Sequence, residues 1–251
     1  DEDTQLHDVP HGAITREIYW SEETQRYRAC WVYTPASYAF SDRKYPVLYM
    51  QHGGSQDEVC WFQSGKLDML MDNLIARGEA EEMIIVCNNG DVLKETETGE
   101  FQEGRLDHVI INDCMPYIEK KYRIQTDRRK RAAAGLSMGG GHVRRLVFGH
   151  PELFANVGIF SSGECFPTVT EDMDFSKLFS DAAQFNESMD VVYITCGEAD
   201  PRYDRTTADL RPLQDQGFKI EFQGYQGQHE WNVWRYSAKD FVKKLFKPNQ
   251  E

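Results

Sequence analysis

The stretch Ala132-Ala133-Ala134-Gly135-Leu136-Ser137-Met138-Gly139-Gly140-Gly141 decides the fold of this chain. A short apolar run ends here in a Gly-x-Ser-x-Gly motif, and a helical pattern continues from it to Phe148. This order predicts a buried strand, a sharp turn and a helix, with Ser137 at the turn in a strained backbone conformation. Glycine at positions 135 and 139 removes side chains that would collide with the neighbouring strand and helix. The pattern indicates that Ser137 is a nucleophile, held above the carboxyl edge of a sheet.

Apolar runs and helical patterns alternate along the rest of the chain. The runs typical of buried strands are 46–50, 83–87, 132–135, 157–160 and 191–195, with 219–222 as a further candidate. Helical patterns cover 67–75, 109–122, 139–148 and 231–245, and a kink is expected at Pro116. The alternation predicts a mostly parallel central sheet with helices on both faces, and the runs 14–20 and 26–33 predict an antiparallel hairpin at its N-terminal edge. This is the α/β-hydrolase arrangement, and the short connecting segments leave no room for a large lid.

Composition sets the domain organisation and excludes some partners. The length suits one domain over 13–251, with the polar residues 1–12 as the remnant of a linker. The net charge of −13 disfavours nucleic acid as a partner, because phosphate binding needs clustered Lys and Arg. No apolar stretch is long enough to predict a membrane span. The six cysteines form no CxxC pair, so we expect mostly free thiols and no metal site.

The base and the acid are predicted from their order after the serine. In this fold the nucleophile is followed first by the acid and then by the histidine. His229 lies in a glycine-bracketed loop just before the last helix, where the base is needed. His142 lies on the helix that follows the Ser137 turn, called the elbow helix, and His150 caps its end; both are expected to be structural or surface residues. Asp200 is favoured as the acid, with Glu198 as its competitor. Ser137, Asp200 and His229 are therefore the predicted triad.

Two backbone N–H groups are expected to form the oxyanion hole. One belongs to Met138, directly after the nucleophile. The other is assigned to Gly54, in the His52-Gly53-Gly54 turn that follows the run 46–50. His52 is interpreted as a residue that anchors this loop rather than as a proton-transfer group. The predicted chemistry needs no metal and no cofactor.

Several further motifs carry a family resemblance. The most specific are Asp72-Asn73-Leu74-Ile75-Ala76 and His229-Glu230-Trp231-Asn232-Val233-Trp234-Arg235, beside Gly135-Leu136-Ser137-Met138-Gly139-Gly140-Gly141-His142. Together they resemble the esterase D-like branch of the α/β-hydrolases, and within it the feruloyl and acetyl xylan esterases of carbohydrate esterase family 1. The likeness extends from about Val9 to Phe246.

The resemblance implies a secreted or periplasmic serine esterase that releases hydroxycinnamic acids from feruloylated arabinoxylan. Acetyl xylan esterase, thioester hydrolase, siderophore esterase and acyltransferase activities remain alternatives, as does a non-catalytic carbohydrate-binding relative. Bacterial members of that family often carry a carbohydrate-binding module before the esterase domain, so the resemblance also suggests such a module outside this chain. The resemblance also implies that Trp61 and Trp231 flank the acyl pocket, although core packing is the alternative for both. The loop from Asp91 to Gly104 is expected near the active site, where it influences the choice of substrate.

Overall fold

The computed structural model describes residues 2–96, 98–163 and 175–247. Its centre is an eight-stranded sheet with the strand order β1-β2-β4-β3-β7-β8-β9-β10. The strands are β1 (Ala13–Ser21), β2 (Arg26–Thr34), β3 (Val47–Gln51), β4 (Ile84–Asn88), β7 (Arg131–Leu136), β8 (Asn156–Phe160), β9 (Val191–Gly197) and β10 (Glu221–Tyr225). From β4 to β10 all neighbours are parallel. The β1–β2 pair and the β2–β4 pair are antiparallel, which confirms the predicted N-terminal edge hairpin.

Helices cover both faces of the sheet, as predicted. They are α1 (Cys60–Gln63), α2 (Leu67–Ala76), α3 (Leu106–His108), α4 (Met115–Lys121), α5 (Met138–Gly149), α6 (Ala182–Ser188), α7 (Tyr203–Asp215) and α8 (Trp231–Val242). Residues of α1, α2 and α8 form one hydrophobic core with the sheet, and residues of α3 to α7 form the other. Every residue of β3, β4, β7 and β8 is buried, because helices pack on both sides of these strands.

The helix predicted over 109–122 is interrupted. It consists of α3, a π-helical segment Val109–Cys114 and α4. Pro116 lies in the first turn of α4, where its missing N–H costs little, and the wider π-helical turn comes directly before it. The kink expected at Pro116 is thus a change of helix type just ahead of the proline.

A small hairpin occupies the loop after β4. β5 (Leu93–Glu95) and β6 (Phe101–Glu103) pair antiparallel and form a separate two-stranded sheet. The Glu- and Thr-rich composition of this segment had not predicted strands. Because the hairpin follows the carboxyl end of β4, it stands at the edge of the sheet that carries the elbow.

The first residues of the chain pack against α2. Asn73 Nδ2 donates hydrogen bonds to the carbonyl oxygens of Asp3 and Gln5, each at 2.9 Å, and the Asp3 carboxylate pairs with Arg77 and Lys239. The described cysteines are all buried free thiols, as predicted, and Cys165 lies outside the described residues. Within the described ranges, no helix is both long and apolar enough to cross a membrane.

Candidate active site

The elbow at Ser137 has the predicted geometry. Ser137 follows β7 and precedes α5, with a φ of 51° and a ψ of −118°. Its N–H donates to the carbonyl oxygen of Phe160 at 2.8 Å, and its own carbonyl accepts from Gly140 N–H at 3.0 Å. A residue with a side chain rarely adopts this backbone conformation, so the surrounding contacts hold it there.

The two motif glycines are required by close backbone contacts. A Cβ added at Gly139 would lie 2.4 Å from the carbonyl oxygen of His52, and one added at Gly135 would lie 2.4 Å from the carbonyl oxygen of Gly139. Neither contact can be relieved by rotating a side chain. The elbow, meaning the turn at Ser137, therefore packs directly onto the end of β3, where the His52-Gly53-Gly54 turn expected to form the oxyanion loop begins.

Gly139→Ala is expected to lower the free energy of unfolding by about 1–3 kcal/mol, because the added methyl group overpacks this contact. It is also expected to lower kcat, since the displaced backbone belongs to His52. Gly141→Ala is the matched control: it lies in the same helix, and an added Cβ meets nothing within 4 Å. Chemical denaturation and ester kinetics on both variants measure the effect, and equal behaviour of the two would contradict it.

Asp200 and His229 are in direct contact. His229 Nδ1 donates to Asp200 Oδ2 at 2.6 Å, and the Asp200 side chain is fully buried. The loops that carry them are tied together, because Ala199 N–H donates to the carbonyl oxygen of Gly227 at 2.9 Å. Glu198, the competing candidate for the acid, is exposed. The geometry thus pairs the imidazole with Asp200, as the sequence favoured.

Arg202 supports the carboxylate and was not predicted from the sequence. Its backbone N–H donates to Asp200 Oδ1 at 3.0 Å, and its guanidinium donates to the same oxygen at 3.2 Å. The guanidinium also lies 3.4 Å from His229 Nδ1. Since that nitrogen carries the hydrogen that Asp200 accepts, this contact places a positive charge beside the ring and is not a hydrogen bond. In the sequence, the one signal for Arg202 is its position two residues after the predicted acid Asp200.

Asp200 remains ionised at neutral pH. Burial alone would raise the pKa of its carboxyl, but the hydrogen bonds from Arg202 and His229 outweigh burial and lower the pKa below its ordinary value. An ionised Asp200 keeps the hydrogen on His229 Nδ1, which leaves Nε2 as the basic nitrogen.

The Ser137 hydroxyl makes no hydrogen bond within the described part of the chain. The third link of the triad, from Ser137 to His229 Nε2, is therefore proposed rather than observed. Such contacts are often long without substrate and shorten when the substrate binds. The rings of Trp234 and His229 pack in a T-shaped arrangement, with their centroids 5.0 Å apart.

The two N–H groups expected in the oxyanion hole are both free to bind. Neither Gly54 nor Met138 donates its N–H to another described residue. The N–H of Gly53, in contrast, is taken by Gln56 Oε1 at 2.9 Å. A Cβ added at Gly53 would lie 3.4 Å from Ser137 Cβ, so this loop touches the elbow. The arrangement fits the expected pair of donors, whose role remains part of the proposal.

His52 anchors the oxyanion loop, as expected. Its Nδ1 donates to the carbonyl oxygen of Gly53 at 2.8 Å, and its Nε2 accepts from Gly90 N–H at 2.7 Å. Both ring nitrogens are thereby used, and the neutral imidazole links the loop after β3 to the loop after β4. His52 has no free nitrogen for proton transfer.

The two tryptophans assigned to the acyl pocket differ in exposure. Trp61 is only 1% exposed, and its indole N–H donates to the buried carbonyl oxygen of Gln51 at 2.9 Å. This favours the core-packing alternative for Trp61. Trp231 is half-buried and forms a T-shaped ring pair with Trp61, with ring centroids 5.2 Å apart. Trp231 is therefore the one of the two that remains available for substrate contact.

The fold and the elbow define an α/β-hydrolase. The profile of the Esterase family, described as "Putative esterase", matches residues 21–245. This chain belongs to that family. The match confirms the predicted enzyme class, a carboxylic-ester hydrolase.

A relative and a solved structure show more specific similarities than the family profile. An endo-1,4-beta-xylanase/feruloyl esterase from Xylanibacter ruminicola is 31% identical over 247 residues, which are 96% of this chain and 32% of that protein. The chain thus spans about a third of that relative's length. The structure of a ferulic acid esterase superposes with a TM-score of 0.78 at 28% identity, covering 94% of this chain and 99% of that one.

A ferulic acid esterase from Anaeromyces mucronatus in complex with ferulic acid has the same fold. It superposes with a TM-score of 0.79 at 23% identity, covering 98% of this chain and 95% of that one. Together with the family match, these similarities confirm the predicted resemblance to feruloyl esterases of the α/β-hydrolase fold.

Proposed function

We propose that this chain is a feruloyl esterase of carbohydrate esterase family 1. Its substrates would be hydroxycinnamoyl esters of plant cell-wall arabinoxylan. The observation that carries the proposal is the hydrogen bond between buried Asp200 and His229, at the same sheet edge as the strained Ser137 elbow. The similarity to a xylanase/feruloyl esterase and to a ferulic acid esterase supports the choice of acyl group.

The proposed reaction begins with attack of Ser137 Oγ on the ester carbonyl carbon. His229 Nε2 takes the serine proton, and the N–H groups of Gly54 and Met138 bind the carbonyl oxygen as it becomes negative. His229 then donates that proton to the leaving sugar oxygen, and the acyl-enzyme remains. His229 then takes a proton from water, whose oxygen attacks the acyl carbonyl carbon. The bond between Ser137 Oγ and the acyl group breaks, His229 returns the proton to Oγ, and the hydroxycinnamic acid leaves.

Asp200 and Arg202 complete the proposed machinery without touching the substrate. Asp200 stabilises the imidazolium that forms twice per turnover, and Arg202 fixes the rotamer of Asp200. Because arabinoxylan lies outside the cells that degrade it, the proposal places the enzyme in a secreted or periplasmic compartment. An attached carbohydrate-binding module would also suit an enzyme that acts on this polysaccharide.

A panel of three esters tests the proposed substrate. On methyl ferulate, acetylated xylan and a glutathione thioester, kcat/KM is expected to be highest for methyl ferulate, by about tenfold or more. Acetylated xylan as the best substrate would favour an acetyl xylan esterase. The thioester as the best substrate would place the enzyme among the other esterase D-like hydrolases, and either result would overturn the feruloyl proposal.

A further inference from the structure

A cavity of about 640 Å³ opens beside the oxyanion hole. One wall is α5, which contributes Met138, His142 and Arg145. The opposite wall is formed by the loop after β4, its small hairpin and the start of α3, and it includes the apolar side chains of Val92 and Leu106. Six of its twelve lining residues are charged or titratable and four are apolar, so the cavity can contact both the ring and the polar substituents of a small organic group.

The three residues of α5 lie on one face of the helix. Their spacing of four and then three residues places His142 about 6 Å and Arg145 about 10 Å along the axis from Met138. The cavity therefore begins at a donor of the proposed oxyanion hole and continues away from it for about two helical turns. A rigid group attached to the carbonyl carbon would extend toward His142 and Arg145.

The strand order indicates which part of the ester enters this cavity. His229 follows β10, three strands from the elbow strand β7 on one side, whereas the cavity follows β4, two strands away on the other side. The leaving oxygen must face His229, because it receives its proton from that residue. The acyl group then points to the opposite side, into the cavity.

His142 has one ring nitrogen left for a ligand. Its Nδ1 is buried against the Gly90 backbone with no partner. Its Nε2 bonds to no described residue and is not among the buried atoms, so Nε2 is the nitrogen that a ligand can reach. Burial lowers the pKa of His142 to about 4, so the imidazole is neutral at pH 7. A neutral imidazole can accept a hydrogen bond from a hydroxyl group and donate one to it.

Arg145 adds a cation to the same wall. It forms no ion pair with the described residues, whereas the other arginine of the cavity, Arg105, donates from Nε to Asp107 Oδ1 at 3.1 Å. The exposed acids Asp91 and Glu103 also border the cavity. The mixed charges favour a neutral polar group over a strong anion.

Building on the proposed function, we propose that this cavity is the acyl pocket and that His142 and Arg145 recognise the phenolic hydroxyl of the hydroxycinnamoyl group. The hydroxyl donates to the imidazole and accepts from the guanidinium, while Val92 and Leu106 contact the aromatic ring. A site that binds a hydroxyl in this way discriminates against the analogue lacking it, since its buried polar groups are then left without partners. On this proposal His142 binds substrate, in place of the structural role expected from the sequence. Trp61 and Trp231 do not line this cavity, so the proposal also places the acyl group away from the two tryptophans expected to flank it.

The test compares kcat/KM for methyl ferulate, methyl p-coumarate and unsubstituted methyl cinnamate. His142→Leu and Arg145→Gln are each expected to reduce the preference for the two hydroxylated esters over methyl cinnamate by about 10–100-fold, mainly through KM. His142→Gln is expected to recover part of the preference, because its amide can still bond the hydroxyl. Arg211→Gln, an exposed arginine of α7, is the matched control and should keep the wild-type ratio.

Two outcomes would overturn this assignment. If His142→Leu and Arg145→Gln both keep the wild-type ratio of kcat/KM between the hydroxylated esters and methyl cinnamate, the phenolic hydroxyl does not bind to these two residues. An equal loss on all three esters, without a change of ratio, would indicate a structural role. Failure of the wild type to hydrolyse any cinnamoyl ester would instead contradict the proposed function, so the two failures are distinguishable.

Discussion

Replacing Ser137 with alanine is expected to lower kcat on methyl ferulate by about 10⁶-fold. The variant removes the proposed nucleophile and leaves the N–H groups of Gly54 and Met138 in place. The fold should be retained, because Ser137 already has a Cβ in the strained turn and its hydroxyl makes no hydrogen bond to the described residues. The measurement is steady-state kinetics, with thermal unfolding as the check on folding.

Ser162→Ala is the control for this variant. Ser162 lies near the elbow helix, since an added Cβ at Gly140 would be 2.7 Å from its Cβ, and it has no role in the proposed reaction. Its activity should stay close to that of the wild type. If Ser137→Ala retained wild-type kcat while remaining folded, another group would have to be the nucleophile and the proposed mechanism would be wrong.

Asp200→Asn is expected to lower kcat by about 10⁴-fold. The asparagine is nearly the same shape, but it is neutral and no longer holds the hydrogen on Nδ1 of His229 or stabilises the imidazolium. The N–H and guanidinium of Arg202 also lose the charged oxygen to which they both donate. The loss should appear in kcat with a small change of KM, because Asp200 is buried away from the substrate.

Glu198→Gln is the matched control for the acid. Glu198 lies two residues before Asp200 and is exposed, so its charge is not needed to orient His229. We expect near-wild-type kinetics for this variant. A larger loss of kcat in Glu198→Gln than in Asp200→Asn would indicate that Glu198 is the acid. That result would contradict the hydrogen bond observed between Asp200 and His229.

The elbow was predictable because its determinants are local. The apolar run, the two spaced glycines and the helical pattern all lie between 131 and 149, and each has one structural consequence. The order of Asp200 and His229 after the serine followed from the alternation of strands and helices. Their 2.6 Å contact required the two loops to meet, which is a property of the folded sheet.

The residues that support the triad were not predictable, because their contacts are not local in the sequence. Arg202 acts on Asp200 through a turn whose geometry the residue types alone do not determine, and Trp234 contacts His229 only because α8 begins at the end of that loop. The small hairpin β5–β6 was missed because its strands have three residues each and a polar composition. Helix α7 was missed because it is mostly polar and contains Pro212.

The position of His142 also could not be interpreted from the sequence alone. The sequence places it one turn into the elbow helix, and a histidine at such a position is more often packed than functional. Whether it packs or lines a cavity depends on the loop after β4, where Gly90 approaches it closely: a Cβ added at Gly90 would lie 3.2 Å from His142 Nδ1. That contact joins segments more than fifty residues apart, so no local pattern could reveal it.

The most direct test of the central claim is labelling with a fluorophosphonate, followed by peptide mass spectrometry. The reagent bonds covalently to a serine oxygen that a neighbouring base has activated. We predict one label, on the peptide that contains Ser137, with labelling slowed by methyl ferulate and abolished in Ser137→Ala. A folded wild-type protein that takes up no label, or takes it up at another serine, would contradict the assignment of Ser137 as the nucleophile.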